Sequence, residues 1–225
     1  MTPGVLSQFP GLQLDLVELS ESVVRGAAFF SHVNFDVLHR GNVRTHLDDG
    51  RNFLLRTRTQ YDVITADAIF PEHAGANSVN SVEYFRLVRN ALAPDGVALH
   101  WNGGATGTQY KLILRAFVAA FPEATLWGDG TLMVGTKQPL TVSRGRIEAM
   151  LKDPATREIL ALMHVESFDH LQRMFRASPA DIQAFVGEGP MLTDDKPAIE
   201  YFASLPHDER SLTQIGRDPT AVIRP

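Results

Sequence analysis

Between Leu12 and Pro122 strand patterns and helix patterns take turns along the chain. LQLDLVEL (12–19) alternates apolar and polar residues, the period of a half-buried strand. SESVVRGAAFF (20–30) follows as a helix, with Ser20 placed to cap it and Glu21 in a first turn that favours a carboxylate. VRTHL (43–47) reads as a short strand and DGRNFLLRTRT (49–59) as a helix. YDVITADA (61–68) is the clearest strand, β-branched and apolar and ending at a carboxylate. SVEYFRLVRNALA (81–93) places Val82, Phe85, Val88 and Leu92 on one face of a helix, which PDG (94–96) is expected to stop. GVALHW (96–101) is the next strand, and TQYKLILRAFVAAF (108–121) a further helix ended by Pro122. This βα alternation implies a mostly parallel α/β sheet covered by helices.

The alternation then breaks. ATLWGDGTLMVGTK (124–137) reads as two strands about Asp129-Gly130, a pair that favours tight hairpin turns, so the sheet is expected to close antiparallel. After PLTVSRG (139–145) no further strand is expected. Residues 146–187 read as short helices with Pro154 and Pro179 near helix starts, followed by MLTDDKPAIEYF (191–202) and a mobile tail.

Composition narrows the function. A net charge of −5 over 225 residues argues against a nucleic-acid surface, and RNFLLRTRTQ (51–60), the basic cluster, reads as a solvated helix face. With no cysteine there is no disulfide, thiolate metal site or thiol nucleophile. No apolar run reaches the ~20 residues of a membrane span, and the N-terminus lacks a secretory signal, so the chain reads as soluble and cytoplasmic. His32, His39 and His46 recur every seven residues but fall on unlike predicted elements, so no metal is expected. Ser78 and Ser81 lack a nucleophile elbow. Trp101 and Trp127 read as core or edge packing, and Gly103-Gly104 as a turn.

Ligands of open α/β sheets bind beyond the carboxyl ends of the strands. The residues to inspect there are Glu18, Asp48, Asp49 and Asp67. A glutamate ending the second strand of a nucleotide fold accepts hydrogen bonds from ribose hydroxyls. Glu18 is that candidate, and a solvated strand-end carboxylate is its plainer reading.

VELSESVV, HLDDGRNFL, YDVITADAIFP and SVEYFRLVRNALAPDGVAL, taken in order, resemble the aminopropyltransferase (spermidine synthase) family. MLTDDKPAIEY resembles the C-terminal signature of spermidine synthase-like domains that are often fused to membrane segments. The resemblance implies the Rossmann-like S-adenosylmethionine-dependent methyltransferase fold, whose last strand is antiparallel. It implies a nucleoside-binding domain over 1–138, a helical extension with the TDDKP segment over 139–205, and a tail over 206–225. It implies a transferase of polyamine biosynthesis that uses decarboxylated S-adenosylmethionine, or S-adenosylmethionine itself, as co-substrate. It assigns Asp49 to the adenine amino group, with Gly50 allowing close approach, and Asp67 to the acceptor amine as the catalytic carboxylate. Asp48 is a second candidate or a helix cap. The partner implied is a small-molecule amine, and a homodimer is one assembly left open.

Three departures stand out. The family's Asp-Ser-Ser-Asp-Pro loop is Asp67-Ala68-Ile69-Phe70-Pro71 here, so Phe70 replaces a substrate-binding aspartate. Asn80 replaces a substrate-contacting tyrosine, and Glu72 or His73 is the candidate substitute for the lost carboxylate. The family's first strand falls before residue 1, and Gly4 is expected to end its glycine loop. The sequence therefore reads as an N-terminally shortened form in which two strands lack a neighbour, exposing strand edges. These departures keep two other readings open: an S-adenosylmethionine-dependent methyltransferase, and a non-catalytic binding module. A dinucleotide oxidoreductase is disfavoured by the closing hairpin and lacks a glycine fingerprint. Asp194-Asp195 reads equally as lining a site entrance or as a polar turn.

Overall fold

The computed structural model describes residues 2–67, 70–103, 107–206 and 222–224. In chain order the elements are α1 (Thr2–Leu6), β1 (Leu14–Glu18), α2 (Glu21–Gly26), α3 (Ser31–Asn34), β2 (Val43–Leu47), α4 (Gly50–Arg56), β3 (Tyr61–Asp67), α5 (Val82–Ala91), β4 (Leu92–Trp101), α6 (Gly107–Ala120), β5 (Thr125–Trp127) and β6 (Leu132–Thr136). They continue as β7 (Val142–Ser143), α7 (Arg144–Lys152), α8 (Pro154–Leu162), α9 (Phe168–Met174), β8 (Phe175–Ala177), α10 (Pro179–Val186) and β9 (Ile223–Arg224). Two compact units form, one from Met1–Arg56 with Arg144–His170 and the other from Thr57–Ser143 with Leu171–Pro225.

In the first unit β1 and β2 run parallel, in register from Leu14 opposite Val43 to Glu18 opposite Leu47. Among the described residues β1 pairs with β2 alone. Ser20 caps α2 as its sequence implies, accepting from the Val23 amide. The helix expected over 20–30 tightens into a 3-10 turn at Ala27–Phe30. Asp153 caps α8, with Pro154 in the first turn where its missing N–H is harmless. Arg144 lies over the Phe168 ring at 4.2 Å, and its guanidinium also meets Glu148 and Asp169.

The second unit holds a five-stranded sheet in the order β3-β4-β6-β5-β8, with β3 and β4 parallel and the other neighbours antiparallel. Its core is aromatic: Phe85 of α5 meets Phe117 of α6 edge to face at 5.0 Å, and Phe117 meets Phe121 at 5.0 Å. Gly135 on β6 lies under Phe121, where a Cβ would stand 2.6 Å from the ring, so only glycine fits there. On β3, pairing only β4 among the described residues, Val63 is 47% exposed.

Several sequence expectations need correction here. PDG does not follow a helix stop, because α5 ends at Ala91 and β4 begins at Leu92. Tyr61 is opposite Leu92 but Val63 is opposite Val97, so Pro94-Asp95-Gly96 falls in an irregularity of β4. A bulge tolerates a residue without an N–H. The hairpin is not a two-residue primed turn. Residues 128–131 connect Trp127 to Leu132, and Gly128 and Gly130, not Asp129, carry the positive φ. Strands also continue past residue 145: β8 extends the main sheet beside β5, and β9 pairs parallel with β7. Val222 is buried in a cluster with Trp127, Val134 and Phe175, so this part of the expected tail is packed. The rest of that tail, 207–221, lies outside the described residues.

Candidate functional site

The nucleoside candidates belong to the first unit. The register that pairs Glu18 with Leu47 sets Glu18 beside Asp48 at the carboxyl ends of two adjacent parallel strands. The Asp48 amide donates to the Glu18 carbonyl at 3.0 Å, one rung beyond the strand. Glu18 Oε1 accepts from the Ser20 amide at 2.8 Å, which holds the half-buried carboxylate against the turn into α2. Asp49 Oδ1 accepts from the Asn52 amide at 2.9 Å, three residues on, and so caps α4. Asp48 takes the Asp49 amide on Oδ1 and meets the Arg56 guanidinium with Oδ2. Of the two aspartates, then, Asp49 is the helix cap and Asp48 the ion-pair partner. A Cβ at Gly50 would meet no protein atom within 4 Å, so packing gives no reason for glycine there.

Gly4 sits elsewhere in the same unit. It is buried in α1, where a Cβ would overlap the Asn34 backbone of α3. Close packing of two short helices accounts for its size. His39 pairs with Asp36 at 2.7 Å and His46 with Asp15 at 2.9 Å. Among the described residues no group of three or more His, Asp or Glu side chains is placed to hold a metal ion. Nor is any helix of those residues long and apolar enough to cross a membrane.

The amine candidates belong to the second unit. Asp67 ends β3 opposite Trp101, which ends the adjacent parallel strand β4. Phe70, three residues after Asp67, is 50% exposed, and Trp101 is 38% exposed. Their ring centroids lie 6.4 Å apart at 76°, and Phe70 also meets His73 edge on at 6.0 Å. Ala68 and Ile69 lie outside the described residues. Trp101 was not among the sequence candidates. The available signal was its position as the last residue of a predicted strand, the same signal that singled out Asp67. Trp127 is core, edge on to Phe175 at 5.3 Å. Gly103 lies beneath the Trp101 indole, which a Cβ would overlap, while Gly104 is outside the described residues.

Asn80 is only 1% exposed. Its Oδ1 accepts from His100 Nε2 at 3.0 Å and its Nδ2 donates to the Ala76 carbonyl at 2.8 Å, so both ends of the amide serve the interior. His100 is enclosed by Tyr84, Phe85 and Phe117, and burial pushes its imidazole down to about 3. It is therefore neutral and donates through Nε2 at physiological pH. Asp194 and Asp195 form a polar turn bridged from Thr193 to Lys196. Asp194 accepts from the Ser81 hydroxyl at 2.6 Å, and its amide donates to Glu83 Oε2 at 3.0 Å. Asp195 accepts from the Thr193 hydroxyl, which holds its carboxyl below the usual range.

Comparison with known proteins adds to this geometry. The sequence model of the spermine/spermidine synthase domain matches residues 8–115. Polyamine aminopropyltransferase 2 of Aquifex aeolicus is 22% identical over 147 residues, covering 60% of this chain and 30% of that protein. Polyamine aminopropyltransferase 1 of Streptomyces coelicolor is 27% identical over 139 residues, covering 55% of this chain and 26% of that protein. The chain thus spans under a third of the curated relatives' length. The crystal structure of a probable spermidine synthase from Corynebacterium glutamicum shares the fold with a TM-score of 0.53 at 18% identity, over 80% of this chain and 63% of that one.

Proposed function

We propose, from the match of residues 8–115 to the spermine/spermidine synthase domain, that the chain is an aminopropyltransferase acting on an amine acceptor. The donor is decarboxylated S-adenosylmethionine. The observation that carries this reading is the placing of Glu18 and Asp48-Asp49 together at the carboxyl ends of two adjacent parallel strands. Carboxylates there suit the hydroxyl and amino donors of a nucleoside. Glu18 is assigned the ribose and Asp49 the adenine amino group.

Asp67 is assigned the amine. A primary amine is mostly protonated at neutral pH, like a lysine side chain, and a cation cannot attack. A carboxylate holds the ammonium and receives its proton. The freed nitrogen lone pair attacks the methylene carbon bonded to the sulfonium. The new C–N bond forms as the C–S bond breaks, and the sulfur leaves neutral as methylthioadenosine. Methyl transfer from S-adenosylmethionine is the second reading, favoured by Phe70, which is apolar where the family carries a substrate-binding aspartate.

Calorimetric titration of the chain with decarboxylated S-adenosylmethionine, S-adenosylmethionine and methylthioadenosine tests the assignment. We expect the decarboxylated form to bind more tightly than S-adenosylmethionine, and Glu18→Gln to weaken it by about tenfold, the scale of a lost hydrogen bond to a charged group. Preference for the carboxylated form supports methyl transfer instead. No binding by the folded chain overturns both.

A further inference from the structure

Resting on the aminopropyl-transfer reading, we propose that the acceptor is a primary monoamine with an aromatic or long alkyl body rather than a diamine. Asp67 and Trp101 are partners in register on parallel strands. Such partners stand about 4.8 Å apart and send their side chains to the same face of the sheet. The carboxylate and the indole therefore share one face at the strand ends. Phe70 brings a second ring to that indole, edge on at 6.4 Å.

The aromatic wall is a built feature. Gly103 leaves room for the indole to lie across the backbone, which any Cβ there would prevent. Phe70 is braced on its other side by His73. Yet Phe70 and Trp101 remain 50% and 38% exposed, while the aromatic rings of Phe85, Phe117, Phe121 and Phe175 in the same unit are fully buried. A fixed, exposed aromatic pair beside a carboxylate offers one anionic contact and one apolar surface. That combination fits a ligand with a single ammonium and an apolar body: the head pairs with Asp67 and the body covers the rings. A short diamine brings a second ammonium but no apolar body, so it leaves the ring surface uncovered.

Fluorescence titration tests this on the intact chain, using 2-phenylethylamine and 1,4-diaminobutane, with and without methylthioadenosine. Trp101 is the exposed member of the two tryptophans, Trp127 being 6% exposed, so a ligand on the wall changes the Trp101 emission. We expect saturable binding of 2-phenylethylamine, with 1,4-diaminobutane about tenfold weaker, the upper scale of one aromatic contact. Phe70→Asp should reverse that order. Phe70→Leu, which keeps an apolar surface, should weaken 2-phenylethylamine by about threefold and leave the diamine unchanged. Equal or tighter binding of the diamine by the unaltered chain overturns the proposal. So does the absence of saturable binding by either amine, or an unchanged order in Phe70→Asp. Donor titration reads the donor preference behind the aminopropyl-transfer reading separately, so either result can fail alone.

Discussion

Lowering the pH from 7 to 5 should remove about 2 kcal/mol of stability from the second unit through His100 alone. The imidazole is buried among Tyr84, Phe85 and Phe117 and is depressed from 6.5 to about 3. Unfolded, it takes up a proton as the pH falls through 6.5; folded, it does not until about 3. The unfolded state therefore binds more protons across this window, and stability falls with falling pH. One pKa unit corresponds to about 1.36 kcal/mol, so the 1.5 units between 6.5 and pH 5 give about 2 kcal/mol. The loss stops growing below about pH 3, where the folded histidine also protonates. Urea unfolding followed by the buried Trp127 at pH 7 and pH 5 measures the effect. His100→Gln keeps an N–H for Asn80 and removes the titration. The unaltered chain should lose about 2 kcal/mol more than this variant over the same interval. Equal losses in the two proteins would refute a buried neutral His100.

Ser81→Ala removes both the cap of α5 and the hydroxyl that donates to Asp194. It should cost about 1–2 kcal/mol in urea unfolding. Val63 is half exposed on β3, which pairs only β4 among the described residues. Val63→Lys should lower self-association, read by light scattering, while changing stability by no more than about 0.5 kcal/mol.

The strands of the first hundred residues were legible because their apolar periods and strand-end carboxylates are local signals. Ser20 announces its helix for the same reason, since a cap bonds only three residues ahead, whereas the equal role of Ser81 on α5 emerges only from the structure. What was not legible depends on distant partners. Phe175–Ala177 becomes a strand because β5 offers an edge to a three-residue segment too short to show a period. Ile223–Arg224 pairs with Val142–Ser143 across some eighty residues. Asn80, a site candidate by resemblance, lies inside because His100 and the Ala76 carbonyl satisfy it, a fact that no spacing encodes. Trp101 read as packing because an aromatic at a strand end is usually covered, and only the structure shows it uncovered beside Asp67.

The TDDKP signature also acquires a physical role away from any direct chemistry. The segment between Phe70 and Ser81 joins the end of β3 to the start of α5 and carries only a 3-10 turn at Ala76–Val79. Its own backbone hydrogen bonds are all short-range turns, from His73 to Phe70, Ala76 to His73, Ser78 to Gly75 and Asn80 to Asn77. Its far end is held from the C-terminal side: Asn77 Nδ2 donates to the Thr193 carbonyl at 2.9 Å and the Asn77 amide to Glu200 Oε1 at 3.0 Å. The Val82 amide donates to the Leu192 carbonyl at 3.0 Å, and Ser81 donates to Asp194. Asn77 and Ser81 are buried, and buried polar groups without partners are costly, so each element needs the other to fold as it does. The exposed rings of Phe70 and His73 thus stand on a segment whose opposite end is tied by residues more than a hundred positions away. A sequence signature so remote from Asp67 makes sense as the clamp on this segment, and needs no contact of its own with a substrate.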